Sequence, residues 1–234
     1  MSAVPSVAPR PDLVRLASVS KTYRRDGVPI RALRHVDLSI AEGEFVAIMG
    51  PSGSGKSTLL HILGLLDTEY DGTYRLGGRL ISGHSADELS ALRNREIGFV
   101  FQSFFLLPQL SILENAALPA LYADDRSADE CTRAARERLE QMRLGHRLSH
   151  RPNELSIGQR QRAAIARALV NDPKVLLADE PTGALDSRTA RTILDIFIGL
   201  HRDGRTVVLV THDHDVASVA DRIIHVRDGH TGNG

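Results

Sequence analysis

The 234-residue chain is 42% hydrophobic and 25% charged, with 29 basic and 29 acidic residues and one cysteine, Cys131. That apolar content excludes a disordered chain, and a formal charge of zero excludes the global basic field of a nucleic-acid binder. One cysteine excludes an internal disulfide or a cysteine zinc cluster and suits a reducing compartment.

Residues 1–12 lack the apolar core of a secretion signal and read as a flexible leader. One large domain, with lobes, then covers 13–229, and 230–234 reads as a tail. Strand candidates lie at 14–16, 36–38 and 45–48, with turns at Asp26-Gly27 and Glu42-Gly43. A glycine-rich loop over 50–58 leads into a helix over 59–65. Residues 72–81 read as a hairpin turning at Gly77-Gly78. The uncharged stretch 97–113 is interrupted by polar residues and proline, and no segment reaches the ~18 apolar residues of a membrane span. Helices are expected at 87–95, at 127–142 (Ser127 capping, Glu130 three residues on) and at 156–170. The runs 175–178 and 206–210 are short and wholly apolar, as in parallel strands buried on both faces, with a helix at 188–200 between them and a last strand at 223–226. The order implies an α/β core with a helical subdomain over about 87–165.

Gly50-Pro51-Ser52-Gly53-Ser54-Gly55-Lys56-Ser57-Thr58 is a P-loop pattern between a strand and a helix. Glycines let backbone N–H groups turn toward phosphate oxygens, and the next helix adds its positive end. Lys56 supplies charge at the β- and γ-phosphates and Ser57 a hydroxyl for Mg²⁺. Downstream, residues 175–178 run into Asp179-Glu180. Neighbours on a strand point to opposite faces, so the two acids take separate tasks at the carboxyl end where α/β proteins bind ligands. Asp179 would hold Mg²⁺, and Glu180 would orient and deprotonate a water for attack on the γ-phosphate. Thr211-His212-Asp213-His214-Asp215 is rich in metal-binding types, but consecutive residues on a short turn converge poorly on one ion.

Between these motifs, Leu155-Ser156-Ile157-Gly158-Gln159 resembles the LSGGQ signature of ATP-binding-cassette (ABC) ATPases, and the resemblance extends over about 13–229. It implies a P-loop NTPase core of the RecA type with an antiparallel β subdomain and the inserted helical subdomain. It implies ATP and Mg²⁺ as ligands, and a homodimer in which Ser156, Ile157, Gly158 and Gln159 of one copy cradle the γ-phosphate held by the other. Ile157 departs from the pattern by replacing a glycine, which would slow closure or hydrolysis. Arg160, Arg162 and Arg167 are read as structural or solvated.

The same resemblance makes Tyr23 the aromatic that stacks on adenine. Gln102 becomes the glutamine that touches Mg²⁺ and the attacking water, Asp186 part of a loop crossing the dimer interface, and His212 the switch histidine at the γ-phosphate. Metal ligation falls to Ser57, Gln102 and Asp179. Details such as Leu106-Leu107-Pro108 and Ala178-Asp179-Glu180-Pro181-Thr182-Gly183 are similar to the macrolide-exporter and lipoprotein-releasing branch. Members of that branch drive a separate transmembrane permease with a large extracytoplasmic domain from the cytoplasmic face of the inner membrane. The expected activity is therefore ATP hydrolysis coupled to mechanotransmission-type export. The alternative is a cell-division-type ATPase that regulates wall hydrolases without moving a substrate. Phe104, Phe105, Leu106 and Leu107 would dock a short helix of the permease. No nucleic-acid partner is expected.

Overall fold

The computed structural model describes residues 11–123 and 126–233. The chain opens with two long antiparallel strands, β1 (Asp12–Arg25) and β2 (Val28–Ala41), turning at Asp26-Gly27. It continues with β3 (Phe45–Met49), α1 (Lys56–Leu63), β4 (Asp71–Leu76), β5 (Arg79–Leu80), α2 (Ala86–Glu96) and β6 (Ile97–Phe101). Three helices follow, α3 (Ile112–Leu121), α4 (Ala128–Gln141) and α5 (Ile157–Leu169). The chain then returns to the core through β7 (Val175–Asp179), α6 (Ser187–Arg202), β8 (Thr206–Val210), α7 (His214–Ala217), β9 (Arg222–Arg227) and β10 (His230–Asn233).

Two sheets result. One is four-stranded and antiparallel, in the order β2-β1-β4-β5; the other is six-stranded, in the order β10-β9-β3-β8-β7-β6. Within the second, β9, β3, β8, β7 and β6 run parallel and β10 is an antiparallel edge. The apolar strands β3 and β8 are buried at every position because helices or the other sheet cover both faces. Their alternation feeds two cores. Val175, Leu177, Val208 and Val210 pack with α1, α2 and the antiparallel sheet; Leu176, Ala178, Val207 and Leu209 pack with α3, α4, α5 and α6.

Three expected boundaries change. Asp12 pairs with Ala41 in β1, so strand begins within the stretch 1–12 expected as a leader; residues 1–10 of that expectation lie outside the described residues. Residues 230–233 form β10 on β9 rather than a tail, because His230 to Asn233 pair with Arg227 to Ile224. The helical lobe begins after β6, since Leu89 and Leu92 of α2 belong to the core shared with the antiparallel sheet. The stretch 97–113 is itself split: it opens as β6, paired to β7, and its end enters α3. The start of α3 carries a readable signal, Ser111 with Glu114 three residues later, and both capping hydrogen bonds form.

Candidate functional site

β3 ends in the loop at 50–55, which wraps back to start α1 at Lys56. Two glycines make that path possible. At Gly50 a Cβ would lie 2.1 Å from the Val226 carbonyl oxygen, and at Gly55 2.5 Å from that of Ala32, with φ at 156° and 111°. The Lys56 ammonium donates to the carbonyls of Gly50 (2.7 Å) and Pro51 (2.9 Å), so the loop closes on its own lysine. This loop floors a cleft of about 750 Å³. Tyr23, Gly50, Pro51, Ser52, Gly53, Gly55, Lys56, Ser57, Thr58, Gln102, Asp179, Glu180 and His212 all line it, so residues from five separate stretches of chain meet here. Ser54 does not line it: its side chain is buried behind the loop, its N–H donates to the Pro51 carbonyl, and its own carbonyl accepts from Gly229.

The two acids also depart from expectation. Strand alternation would send Asp179 and Glu180 to opposite faces, yet both line the cleft. The reason is local: Glu180 has φ 44°, a left-handed turn that takes it out of the strand, held by its N–H donating to the Val210 carbonyl at 2.9 Å. Such a conformation costs about 1–3 kcal/mol and persists where surrounding contacts impose it. Burial, then the neighbouring Glu180 charge, hold the Asp179 carboxyl above the usual carboxylate range. Glu180 Oε1 lies 2.8 Å from His212 Nδ1. That hydrogen bond and the Glu180 charge raise the His212 pKa, although the imidazole itself is largely exposed. The Gln102 amide sits by the same turn, 3.1 Å from where a Cβ on Gly183 would be.

A metal fits this donor set. The Ser57 hydroxyl, the Gln102 amide and the Asp179 carboxyl are hard oxygen donors lining the cleft, and the charge repulsion between Asp179 and Glu180 is what a divalent cation would relieve.

The signature residues lie elsewhere. Ser156 caps α5, accepting from the Gln159 N–H, and Ser156, Gly158 and Gln159 line a separate cleft of about 710 Å³ between α5 and α6. Ile157 is 44% exposed. At Gly158 an added Cβ would lie 2.4 Å from Thr189 Cγ2, so this glycine lets α5 and α6 approach. Thr189 in turn donates its hydroxyl (2.6 Å) and its N–H (3.0 Å) to Asp186, the N-cap of α6. Sequence reasoning passed over Thr189. Its only signal there was the spacing of three from a capping aspartate.

The apolar segment after Gln102 is built rather than loose. Phe104 and Phe105 adopt φ 61° and 46°, and Arg167 of α5 donates to both of their carbonyls. Burial lowers the Arg167 pKa, and this arginine is a clamp rather than a solvated side chain. Asn115, fully buried, holds Leu107 from both sides, accepting its N–H at 2.7 Å and donating to its carbonyl at 3.0 Å. Of the four docking candidates, only Phe105 (60% exposed) and Leu107 (42%) face outward. Leu106 packs toward the helical core, and the half-buried Phe104 lies under the Arg160 guanidinium. A cleft of about 600 Å³ lined by Leu66, Phe99, Phe101, Tyr122 and Arg167 adjoins this segment.

With this geometry in view, the comparisons with known proteins agree on family. Residues 33–183 match the family model described as ABC transporter. The chain is 51% identical over 217 residues to the uncharacterized ABC transporter ATP-binding protein YknY of Bacillus subtilis, covering 93% of this chain and 94% of that one. It is 49% identical to the macrolide export ATP-binding/permease protein MacB of Chlorobaculum tepidum, but spans only a third of that protein's length. Among solved structures, a dimeric post-hydrolysis state of the cassette MJ0796 bound to ADP and Pi superimposes with a TM-score of 0.85 at 46% identity, covering 94% of this chain and 98% of that one. By the family model, the relative of nearly equal length and the hydrolysing cassette that shares its fold, the chain belongs to the ABC transporter family as an ATP-binding, ATP-hydrolysing cassette.

Proposed function

We propose that two copies of this chain sandwich two ATP molecules head to tail and so drive a separate transmembrane permease, in mechanotransmission-type export. The observation that carries the reading is the separation, within one protomer, of the nucleotide cleft from Ser156, Gly158 and Gln159. Those groups cap a helix N-terminus suited to an anion, yet they line no part of their own chain's nucleotide site. A second protomer makes both sites whole. The dimeric solved cassette and the relatives named for macrolide export support the same reading.

In this arrangement Lys56 exchanges the Gly50 and Pro51 carbonyls for phosphate oxygens. Glu180, with Gln102 beside it, orients the attacking water and accepts its proton. His212 leaves Glu180 to meet the γ-phosphate, and Ser156 and Gly158 of the second copy close the site. Mg²⁺, held by Ser57, Gln102 and Asp179, would supply neutralising charge at the β- and γ-phosphates. Loss of the bridging phosphate then lets the copies part. The permease, with its extracytoplasmic domain, places the cassette at the cytoplasmic face of the inner membrane.

Because each site needs two chains, specific ATPase activity of the isolated protein should rise with its own concentration and plateau. Turnover per chain that stays constant on dilution far below micromolar would contradict the shared site. The exposed Phe105 and Leu107, with the adjoining apolar cleft, are the docking surface for the permease. Phe105→Asp should abolish co-purification with a co-expressed permease while the isolated cassette still folds and binds ATP, its thermal midpoint moved only by loss of the edge contact with Phe101. Retained co-purification would move the docking surface elsewhere.

A further inference from the structure

β1 places Lys21 and Tyr23 two residues apart, hence on one face of the strand. Asp67 reaches both from the loop that follows α1. Its Oδ1 accepts from the Lys21 ammonium at 2.6 Å, and its Oδ2 accepts from the Tyr23 hydroxyl at 2.8 Å. Lys21 also donates to the Glu69 carbonyl at 2.5 Å and sits 4.9 Å from the centroid of the Tyr23 ring. The Lys21 side chain is only 6% exposed, so this is a desolvated cation on an aromatic face, where such contacts reach about 2 kcal/mol. Burial opposes the charge on Asp67, but the bonds from Lys21 and Tyr23 outweigh it and hold the carboxyl below its usual range. Tyr23 itself is 37% exposed and lines the nucleotide cleft.

We infer that Asp67 and Lys21 are positioning residues that hold the Tyr23 ring as the seat for the purine base. The inference rests on reading Tyr23 as the base platform. The hydroxyl is anchored at one edge of the ring and the ammonium covers one face, so a base can stack only on the other. Asp67 lies just beyond the C-terminal end of α1, whose first residue is Lys56. One short helix therefore spaces the base seat from the phosphate loop, and the Asp67 carboxylate fixes that spacing. A stacked base on a ring held this way loses less orientational freedom on binding than one on a free side chain.

The test is titration of the full chain with ATP and with inorganic tripolyphosphate, which has no base to seat. Asp67→Asn and Tyr23→Phe should each raise KM for ATP about three- to tenfold, the effect falling on KM rather than kcat, with tripolyphosphate affinity at wild type. In the double variant the loss should be smaller than the product of the two single losses, because both weaken the Asp67–Tyr23 hydrogen bond, whereas only Asp67→Asn also removes the charge facing Lys21. Three outcomes overturn the inference: an Asp67→Asn protein that melts earlier but binds ATP normally, equal losses for ATP and tripolyphosphate, or additive effects in the double variant. Should Asp67→Asn fail to fold, Tyr23→Phe carries the test by itself, since it removes one hydroxyl. Tyr23→Ala separates the two levels. If it leaves ATP affinity unchanged, the base-platform reading fails and the inference with it. If it weakens ATP binding while Tyr23→Phe and Asp67→Asn do not, the inference alone fails.

Discussion

Glu180→Gln is expected to bind ATP, lose turnover by roughly two to four orders of magnitude, and accumulate as a dimer that wild type does not. The size follows from the role. The carboxylate sits in a left-handed turn at the end of β7, 2.8 Å from His212, where it can accept a proton from a water. The amide is nearly isosteric and keeps the geometry but has no basic oxygen of comparable strength. ATP then bridges the two copies through contacts that only the triphosphate state makes, and nothing removes them. Light scattering in ATP, with ADP as control, reads the dimer, and phosphate release reads turnover. Hydrolysis at the wild-type rate would remove Glu180 as the base. A protein that stays monomeric in saturating ATP would remove the shared site.

Lys56→Ala is expected to weaken ATP binding by about 10- to 100-fold, since hydrogen bonds involving a charged group contribute about 1.5–3 kcal/mol each. The ammonium donates to the Gly50 and Pro51 carbonyls, so part of its affinity for phosphate goes to breaking those bonds. The same bonds mean that the truncated loop loses internal support, and its thermal midpoint should fall slightly without nucleotide. Calorimetric titration with ATP separates the effects. Unchanged affinity would contradict the phosphate-loop assignment even if stability dropped.

How much of this was legible beforehand varies by kind of signal. The P-loop was readable because phosphate binding needs glycines and a lysine at fixed spacing between a strand and a helix, all local in sequence. The helix cap at Ser127 was readable for the same reason, and it forms as a box with Glu130. The relative placement of Asp179 and Glu180 was not. Strand alternation sent them apart, and the positive φ that brings them together depends on the Val210 carbonyl, supplied by a strand 30 residues on. For Arg167 the sequence left structural and solvated roles open, because its two acceptors are backbone carbonyls more than 60 residues away and carry no sequence mark.

By itself, the order of residues determined the chemistry on offer: a lysine-bearing glycine loop, two acids closing an apolar strand, and a capped helix beginning with serine. These depend on covalent neighbours and on φ/ψ limits that each short segment carries with it. Tertiary structure alone decided the company each group keeps. It seated Tyr23 against Asp67, drew His212 to Glu180, turned Ser54 inward, and set Ser156 and Gly158 on a different cleft from Lys56. The reason is that a buried charge or carbonyl takes whichever partner the packed sheets and helices bring within hydrogen-bonding reach, and that reach is a property of the whole fold.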